Sequence, residues 1–395
     1  MTGCDRLRGG LSSGASDGTC GFVVNAIRSE SFVAGIRLFL FALLLAAGPP
    51  SRAALAANAP DAVPAGSSGR ELYLRYCALC HGKSAEGYAA DHASALGNPD
   101  FLAVANESFL RAAITDGRPG TPMSAWGRKA GGPLDSDQVD AIVTYLRSLA
   151  SAPPVNVWGV RVQGDAERGR PVYVERCESC HGEKGEGSPT AMSLSHPNFQ
   201  RTASDGYLRY TIEHGRSGTP MKAFGDLPPQ TLDDLVAFVR TLEHAPSLPQ
   251  GGEGGPPPML NDLVMNPGGR APSFDLREGR YVPAEAVKAA LDANQRLIVL
   301  DTRATSDWAL GHIPGAAPFP FYNLEQMVQN LPRDGTWIVA YCSCPHAASD
   351  HVVDNLRQIG FDHTAVLDEG FPFWMKQGYP VVRGSLAASS AGGQH

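Results

Sequence analysis

The chain has 395 residues, of which 43% are hydrophobic and 18% charged, so it is too long for one ordinary core and too apolar for a disordered or fibrous protein. Its formal net charge is −7 and it holds no basic run, so it lacks the surface that a nucleic-acid partner requires. Eight cysteines have to be accounted for.

The N-terminus reads as an export signal. Arg28 and Arg37 precede or open the apolar run "IRLFLFALLLAAG" (36–48), and Ala54 and Ala56 offer a cleavage site, so residues 1–56 are expected to be a signal peptide or an uncleaved membrane anchor. Cys4 and Cys20 fall in this segment. The other six cysteines lie in tight pairs, Cys77/Cys80, Cys177/Cys180 and Cys342/Cys344, which is not the pattern of a disulfide scaffold in an exported protein. They point to chemistry.

Residues 69–242 repeat themselves. "GRELYLRYCALCHG" matches "GRPVYVERCESCHG", "FLRAAITDGRPGTPMSAWG" matches "YLRYTIEHGRSGTPMKAFG", and "LDSDQVDAIVTYLRSL" matches "LPPQTLDDLVAFVRTL". Each copy reads as a helix ending in Cys-x-x-Cys-His, a loop, a helix, a Gly/Pro loop bearing Met, and a closing amphipathic helix. Val139, Ile142, Val143, Leu146 and Leu149 give the first closing helix its apolar stripe.

Two thiols three residues apart on one turn can form thioethers with the two vinyl groups of haem, and the histidine that follows then reaches the iron. Met123 and Met221 lie 42 and 40 residues after His81 and His181, in identical "GTPM" settings, and supply a second axial ligand. A thioether is a soft ligand that favours ferrous iron. A zinc half-site or a thiol redox pair would not explain two motifs with a matched Met each. Trp126 and Phe224, three residues after each Met, are haem-packing aromatics or ordinary core. His92, His196 and His214 have no counterpart of their own type in the other copy and are read as surface or propionate-side residues, and Met192 also lacks a counterpart.

These residues resemble class I cytochromes c, as two tandem domains over 66–151 and 152–245. The resemblance implies two covalently bound c-type haems, held at Cys77, Cys80, His81 and Met123 and at Cys177, Cys180, His181 and Met221, that pass single electrons.

A Pro/Gly-rich stretch, 246–273, is expected to be a flexible tether. After it the period changes. "RLIVLDTR" (296–303) and "TWIVAYC" (336–342) suit buried parallel strands, and helical stretches alternate with them, so 274–384 is expected to be an α/β domain, with residues 385–395 a disordered tail. Cys342 ends a strand just before a helix, where backbone N–H groups favour a thiolate.

"LDTRATSDWALGHIPGA", the strand-end cysteine and "LDEGFPFWMKQGYPV" resemble the rhodanese domain. The resemblance implies that Cys342 takes sulfane sulfur as a persulfide, that Asp301 and Arg303 form an acid–base pair near the active-site entrance, and that His312 and Gly315 belong to a structural turn. The loop "CSCPHAAS" departs from the family: it has no Arg or Lys, only His346 could bring positive charge, and thiosulfate is expected to be held poorly. Cys344 is either a resolving thiol or structural.

The fold class expected is therefore multidomain, two all-α cytochrome c domains followed by an α/β domain with a parallel sheet. The function expected is an exported dihaem electron carrier coupled to sulfane-sulfur handling in periplasmic sulfur oxidation. Its partners would be small sulfur compounds and a soluble cytochrome, terminal oxidase or dehydrogenase. The alternative is a respiratory cytochrome whose third domain only docks or senses.

Overall fold

The computed structural model describes residues 66–386 except 91–92, 189–190, 245–247, 249–250, 260–261 and 344–345. The expected signal segment, Cys344, His92 and residues 387–395 of the expected tail lie outside the described residues, while Ser385 donates its N–H to the Gly255 carbonyl at 2.8 Å.

The first repeat comprises α1 (Gly69–Tyr76), α2 (Ala78–His81), α3 (Pro99–Val104), α4 (Glu107–Asp116) and α5 (Ser136–Ser148). The second repeats the order as α6 (Ala166–Arg176), α7 (Glu178–His181), α8 (Pro197–Thr202), α9 (Asp205–His214) and α10 (Pro229–Thr241). A capping box between Ser68 and Glu71 starts α1, and Asp165 caps α6. In each repeat the first helix crosses the last at backbone contact. A Cβ on Gly69 would sit 1.9 Å from the Ala141 carbonyl oxygen, and one on Gly169 would sit 2.1 Å from that of Asp234. Only glycine permits that crossing, which fixes where the Cys-x-x-Cys-His turn leaves the helix.

The two repeats share one core, in which Phe101, Phe109, Trp158, Phe199 and Tyr207 meet ring to ring. Polar latches cross in both directions. Asn98 Nδ2 donates to the Ser217 carbonyl at 2.8 Å, and Asn198 Nδ2 donates to that of Gly117 at 2.9 Å. Each amide therefore reaches from the start of α3 or α8 into the Met-bearing loop of the other repeat.

The third domain is built on a five-stranded parallel sheet: β2 (Tyr281–Val282), β3 (Leu297–Asp301), β4 (Ala317–Pro318), β5 (Trp337–Tyr341) and β6 (Thr364–Leu367), in the order β2-β6-β5-β3-β4. Val299 and Val339 pair at its centre, both fully covered. The helices α11 (Ala284–Asp292), α12 (Thr305–Leu310), α13 (Leu324–Met327), α14 (Ala347–Gln358) and α15 (Gly370–Lys376) surround it. This is the alternation expected from the period change.

The stretch expected to be a tether behaves differently. Its residues 252–255 form a strand, β1 (Gly252–Gly255), paired in parallel with β7 (Val382–Gly384). A Cβ on Gly254 would lie 2.6 Å from Val382 Cγ2, so part of this glycine-rich run serves close approach. Among the described residues no helix is long and apolar enough to cross a membrane.

In the second repeat Asp234 accepts from the Asp165 N–H, from Gln230 and twice from Arg168, the Nε bond being 2.8 Å. The Arg168 bonds lead in holding its carboxyl down at about 2. A depressed carboxylate contributes stability above its unfolded pKa of about 4 and loses that contribution as pH falls toward the folded value. Asp234→Asn is expected to cost about 1–3 kcal/mol at neutral pH. Its urea midpoint should converge on that of the parent near pH 2, and a constant gap across that range would refute the assignment.

Candidate functional site

Both Cys-x-x-Cys-His turns have the same geometry. The helices α1 and α6 end at Cys77 and Cys177, whose N–H groups bond the Tyr73 and Tyr173 carbonyls at 2.9 and 2.8 Å. Next, α2 and α7 carry the second thiol and the histidine one turn on. His81 Nδ1–H donates to the Ser94 carbonyl at 2.8 Å and His181 Nδ1–H to that of Met192 at 3.0 Å. This fixes the tautomer and leaves Nε2 as the unprotonated nitrogen. Burial pushes both imidazoles below their ordinary pKa, which keeps them neutral and able to ligate. It also pushes the Cys77 thiol up to about 12 and that of Cys177 to about 11. Met192, which has no counterpart in the first repeat, is half-buried, and its backbone orients His181.

The two Met loops close in the same way. The Arg118 N–H meets the Met123 carbonyl at 2.7 Å and that of Arg216 meets Met221 at 2.8 Å. Thr121 and Thr219 each donate to that arginine's carbonyl at 2.8 Å and accept from the methionine N–H at 3.2 Å. The threonine of "GTPM" is thus the brace of the loop. Gly117 sits at φ +54, where a Cβ would be 2.3 Å from the Ser124 carbonyl oxygen.

A haem also needs partners for its two carboxylates, and each repeat offers an arginine beside its Met loop, Arg118 and Arg216. Burial draws the Arg118 guanidinium below its ordinary pKa, and it lies over the Phe199 ring, 5.3 Å from the centroid. Arg216 bonds Tyr207 and Thr211 through one nitrogen, while its buried Nη1 has no hydrogen-bond partner. These donors, with paired thiols, a fixed histidine and a loop methionine, fit a c-type haem in each repeat.

His196 is buried: its Nδ1 accepts from Asn198 and its Nε2–H donates to the Pro119 carbonyl of the first repeat at 3.1 Å. It is a link between repeats. His214 stacks on Tyr210 at an exposed helix end.

In the third domain Cys342 follows the central strand β5 with 1% of its surface exposed. Its Sγ is 3.3 Å from Ser349 Oγ on α14. The residues packed on Cys342 and Ala348 include Phe321 and, from the first repeat, Leu79. Leu79 lies between Cys77 and Cys80, so the sequence-predicted sulfur site and the first haem-attachment turn are neighbours. Around them Arg75 Nη2 donates to Asn323 Oδ1 at 2.6 Å, and the rings of Tyr76 and Trp126 meet Tyr322 at 4.9 and 5.6 Å. Trp126 therefore packs into a domain interface.

A signal for this contact exists in the sequence. Where the first repeat has Tyr76, Ala78 and Leu79 the second has Arg176, Glu178 and Ser179, and where it has Ser124 the second has Lys222. The position-by-position loss of charge marks the covered face.

Asp301 and Arg303 are both buried and bond each other twice, at 2.9 and 2.6 Å, while Arg303 also reaches the Gly311 carbonyl. Burial opposes the Arg303 charge, but Asp301 outweighs it and raises the pKa. Tyr341 donates its hydroxyl to Asp301. The pair is a brace behind the loop, although Arg303 edges a small cavity of about 40 Å³ with Ser343, Phe371, Met375 and Pro122. His346 rests on Tyr281 and lies 2.7 Å from the Asp368 carbonyl through Nε2. His312 stacks on Trp308 inside the core, and Gly315 takes φ +81 in the turn that follows.

Residues 64–146 and 164–239 match the family described as cytochrome C oxidase, cbb3-type, subunit III, and residues 283–377 match the rhodanese-like domain. The chain is a fusion of two cytochrome c domains and a rhodanese-like domain. Its cofactors are two covalently bound c-type haems. The cbb3-type cytochrome c oxidase subunit FixP of Bradyrhizobium sp. (strain ORS 278) is 28% identical over 185 residues, covering 45% of this chain and 60% of that protein. The chain thus spans about three-fifths of the length of that curated relative. A chain of the Kuenenia stuttgartiensis reducing HAO-like protein complex aligns over 45% of this chain and 96% of its own, at 22% identity and a TM-score of 0.30. A rhodanese-related protein from Thermoplasma volcanium aligns over 26% of this chain and 97% of its own, at 25% identity and a TM-score of 0.24.

Removing Arg303 would leave Asp301 buried without its cation. Arg303→Ala is expected to lower the stability of the rhodanese-like domain by about 3–5 kcal/mol, read as a shifted unfolding transition with haem content unchanged. An unshifted transition would mean that the pair is not a brace.

Proposed function

We propose that this protein is an exported dihaem electron carrier whose rhodanese-like domain handles sulfane sulfur at Cys342, in the oxidation of small sulfur compounds in the periplasm. Cys77, Cys80, His81 and Met123 would hold the first haem, and Cys177, Cys180, His181 and Met221 the second. When bound, the haems supply one-electron redox chemistry. Arg118 and Arg216 would pair with their carboxylates.

The observation that carries this reading is the packing of Leu79, inside the first Cys-x-x-Cys-His turn, on the pair formed by Cys342 and Ala348. Joining a hydrosulfide ion to the Cys342 thiolate as a persulfide releases one proton and two electrons, the number that two one-electron centres accept. Ser349 can turn its hydroxyl hydrogen toward a charged sulfur at 3.3 Å. A soluble cytochrome or a terminal oxidase would take the electrons, and the name of the Bradyrhizobium relative, an oxidase subunit, supports the second choice.

One observation favours a second reading, a respiratory cytochrome whose rhodanese-like domain only docks or senses. Cys342 is 1% exposed, so a sulfur donor in solution has little access to it.

Anaerobic reduction separates the two. Holo-protein is mixed with sulfide, polysulfide or thiosulfate, and the reduced haem α-band is followed in the parent and in Cys342→Ser. Reduction by sulfide or polysulfide is expected to fall at least tenfold in the variant. Equal reduction in both proteins, or none in either, would overturn sulfur oxidation and leave the docking reading.

A further inference from the structure

The two Met loops are alike inside and unlike outside. Their internal bonds match atom for atom, from the arginine N–H to the methionine carbonyl and through the threonine hydroxyl. Each is also latched by the α3 or α8 region of the other repeat. Beyond the methionine they part. Ser124, Ala125 and Trp126 are buried, with 6%, 4% and 7% of their surfaces exposed, whereas Lys222 and Ala223 are exposed. The cover on the first loop is α12 of the rhodanese-like domain. Ser124 Oγ donates to Asp307 Oδ2 at 2.6 Å, and Ser306 Oγ donates to the Ala125 carbonyl at 2.7 Å. Both bonds are buried, and they grip the two residues directly after Met123.

We propose that α12 is a clasp on the Met123 loop, so that the first haem keeps its methionine locked while the second sits behind a loop that opens. Asp307 and Ser306 are positioning residues: they act on the axial ligand through Ser124 and Ala125. The inference rests on the reading of Met123 and Met221 as axial ligands.

An iron–thioether bond exchanges for an outside ligand only when the loop swings away, so the rate of exchange reports loop opening. The second loop has lysine where the clasp would bind, and among the described residues its opening breaks internal and inter-repeat bonds. The first must also break two buried hydrogen bonds, which together are worth about a tenfold or larger reduction in the open population.

The test is imidazole binding to the ferric holo-protein, followed by loss of the long-wavelength methionine-to-iron charge-transfer band. The parent is expected to react in two phases of equal amplitude, the slow one at least tenfold slower. Asp307→Ala should speed the slow phase about tenfold and leave the fast phase unchanged, and the unchanged phase shows that the cytochrome pair is still folded. Asp307→Asn, which keeps an acceptor for Ser124, should stay within about threefold of the parent. Met123→Ala tests the underlying assignment separately and should remove the slow phase and half of the band. If Met123→Ala leaves the band whole, the ligand assignment fails. If it halves the band while Asp307→Ala and the Ser306→Ala/Asp307→Ala double variant keep the parental slow phase, the clasp is overturned and the ligands stand. A single phase in the parent also overturns it.

Discussion

The arrangement depends on the close crossing of the first and last helix in each cytochrome repeat. With a glycine at the crossing, the backbones of α1 and α5, and of α6 and α10, come within contact of each other. Any side chain there would lift the first helix away and carry the Cys-x-x-Cys-His turn with it. The histidine would then lose the loop carbonyl that sets its tautomer, and the face of α2 that meets the rhodanese-like domain would move. One absent methyl group in each repeat thus governs ligand orientation inside the repeat and, in the first, the fit to a neighbouring domain.

Much of this was legible in the sequence because the chemistry demands fixed spacings. Two thiols and a histidine on one turn, repeated with a matched methionine, leave little room for another reading. The strands of the third domain announced themselves by their continuous apolar runs, and Cys342 by its place after one of them. The threonine brace was less visible, because Thr121 and Thr219 satisfy backbone groups only once the loop has closed. The latches between repeats were hidden for a related reason. Asn98 and His196 are ordinary helix caps by local rules, and the nitrogen each has left over finds its partner in the other repeat.

The acidic and basic pair of the rhodanese-like domain shows how a motif can be found and its role still depend on burial. Asp301 and Arg303 neutralise each other under the sheet and are tied further by Tyr341 and Gly311. The glycine-rich stretch teaches the converse lesson. Composition suggests flexibility there, yet β1 pairs with β7, and a Cβ on Gly254 would crowd the Val382 side chain. Glycine in such a stretch reports either freedom or intimacy, and only the partner strand decides between them.

That small strand pair also bears on how strong the contact over Cys342 has to be. The chain leaves the second repeat and is pinned at 252–255 to β7, in the domain that rests on the first repeat. Docking is therefore intramolecular, at an effective concentration that a short connection places in the millimolar range. A patch of four rings and a few hydrogen bonds can hold the domains together here without the strength that two separate proteins would need. An interface held by tethering can remain small, which leaves the rest of each domain's surface for passing partners.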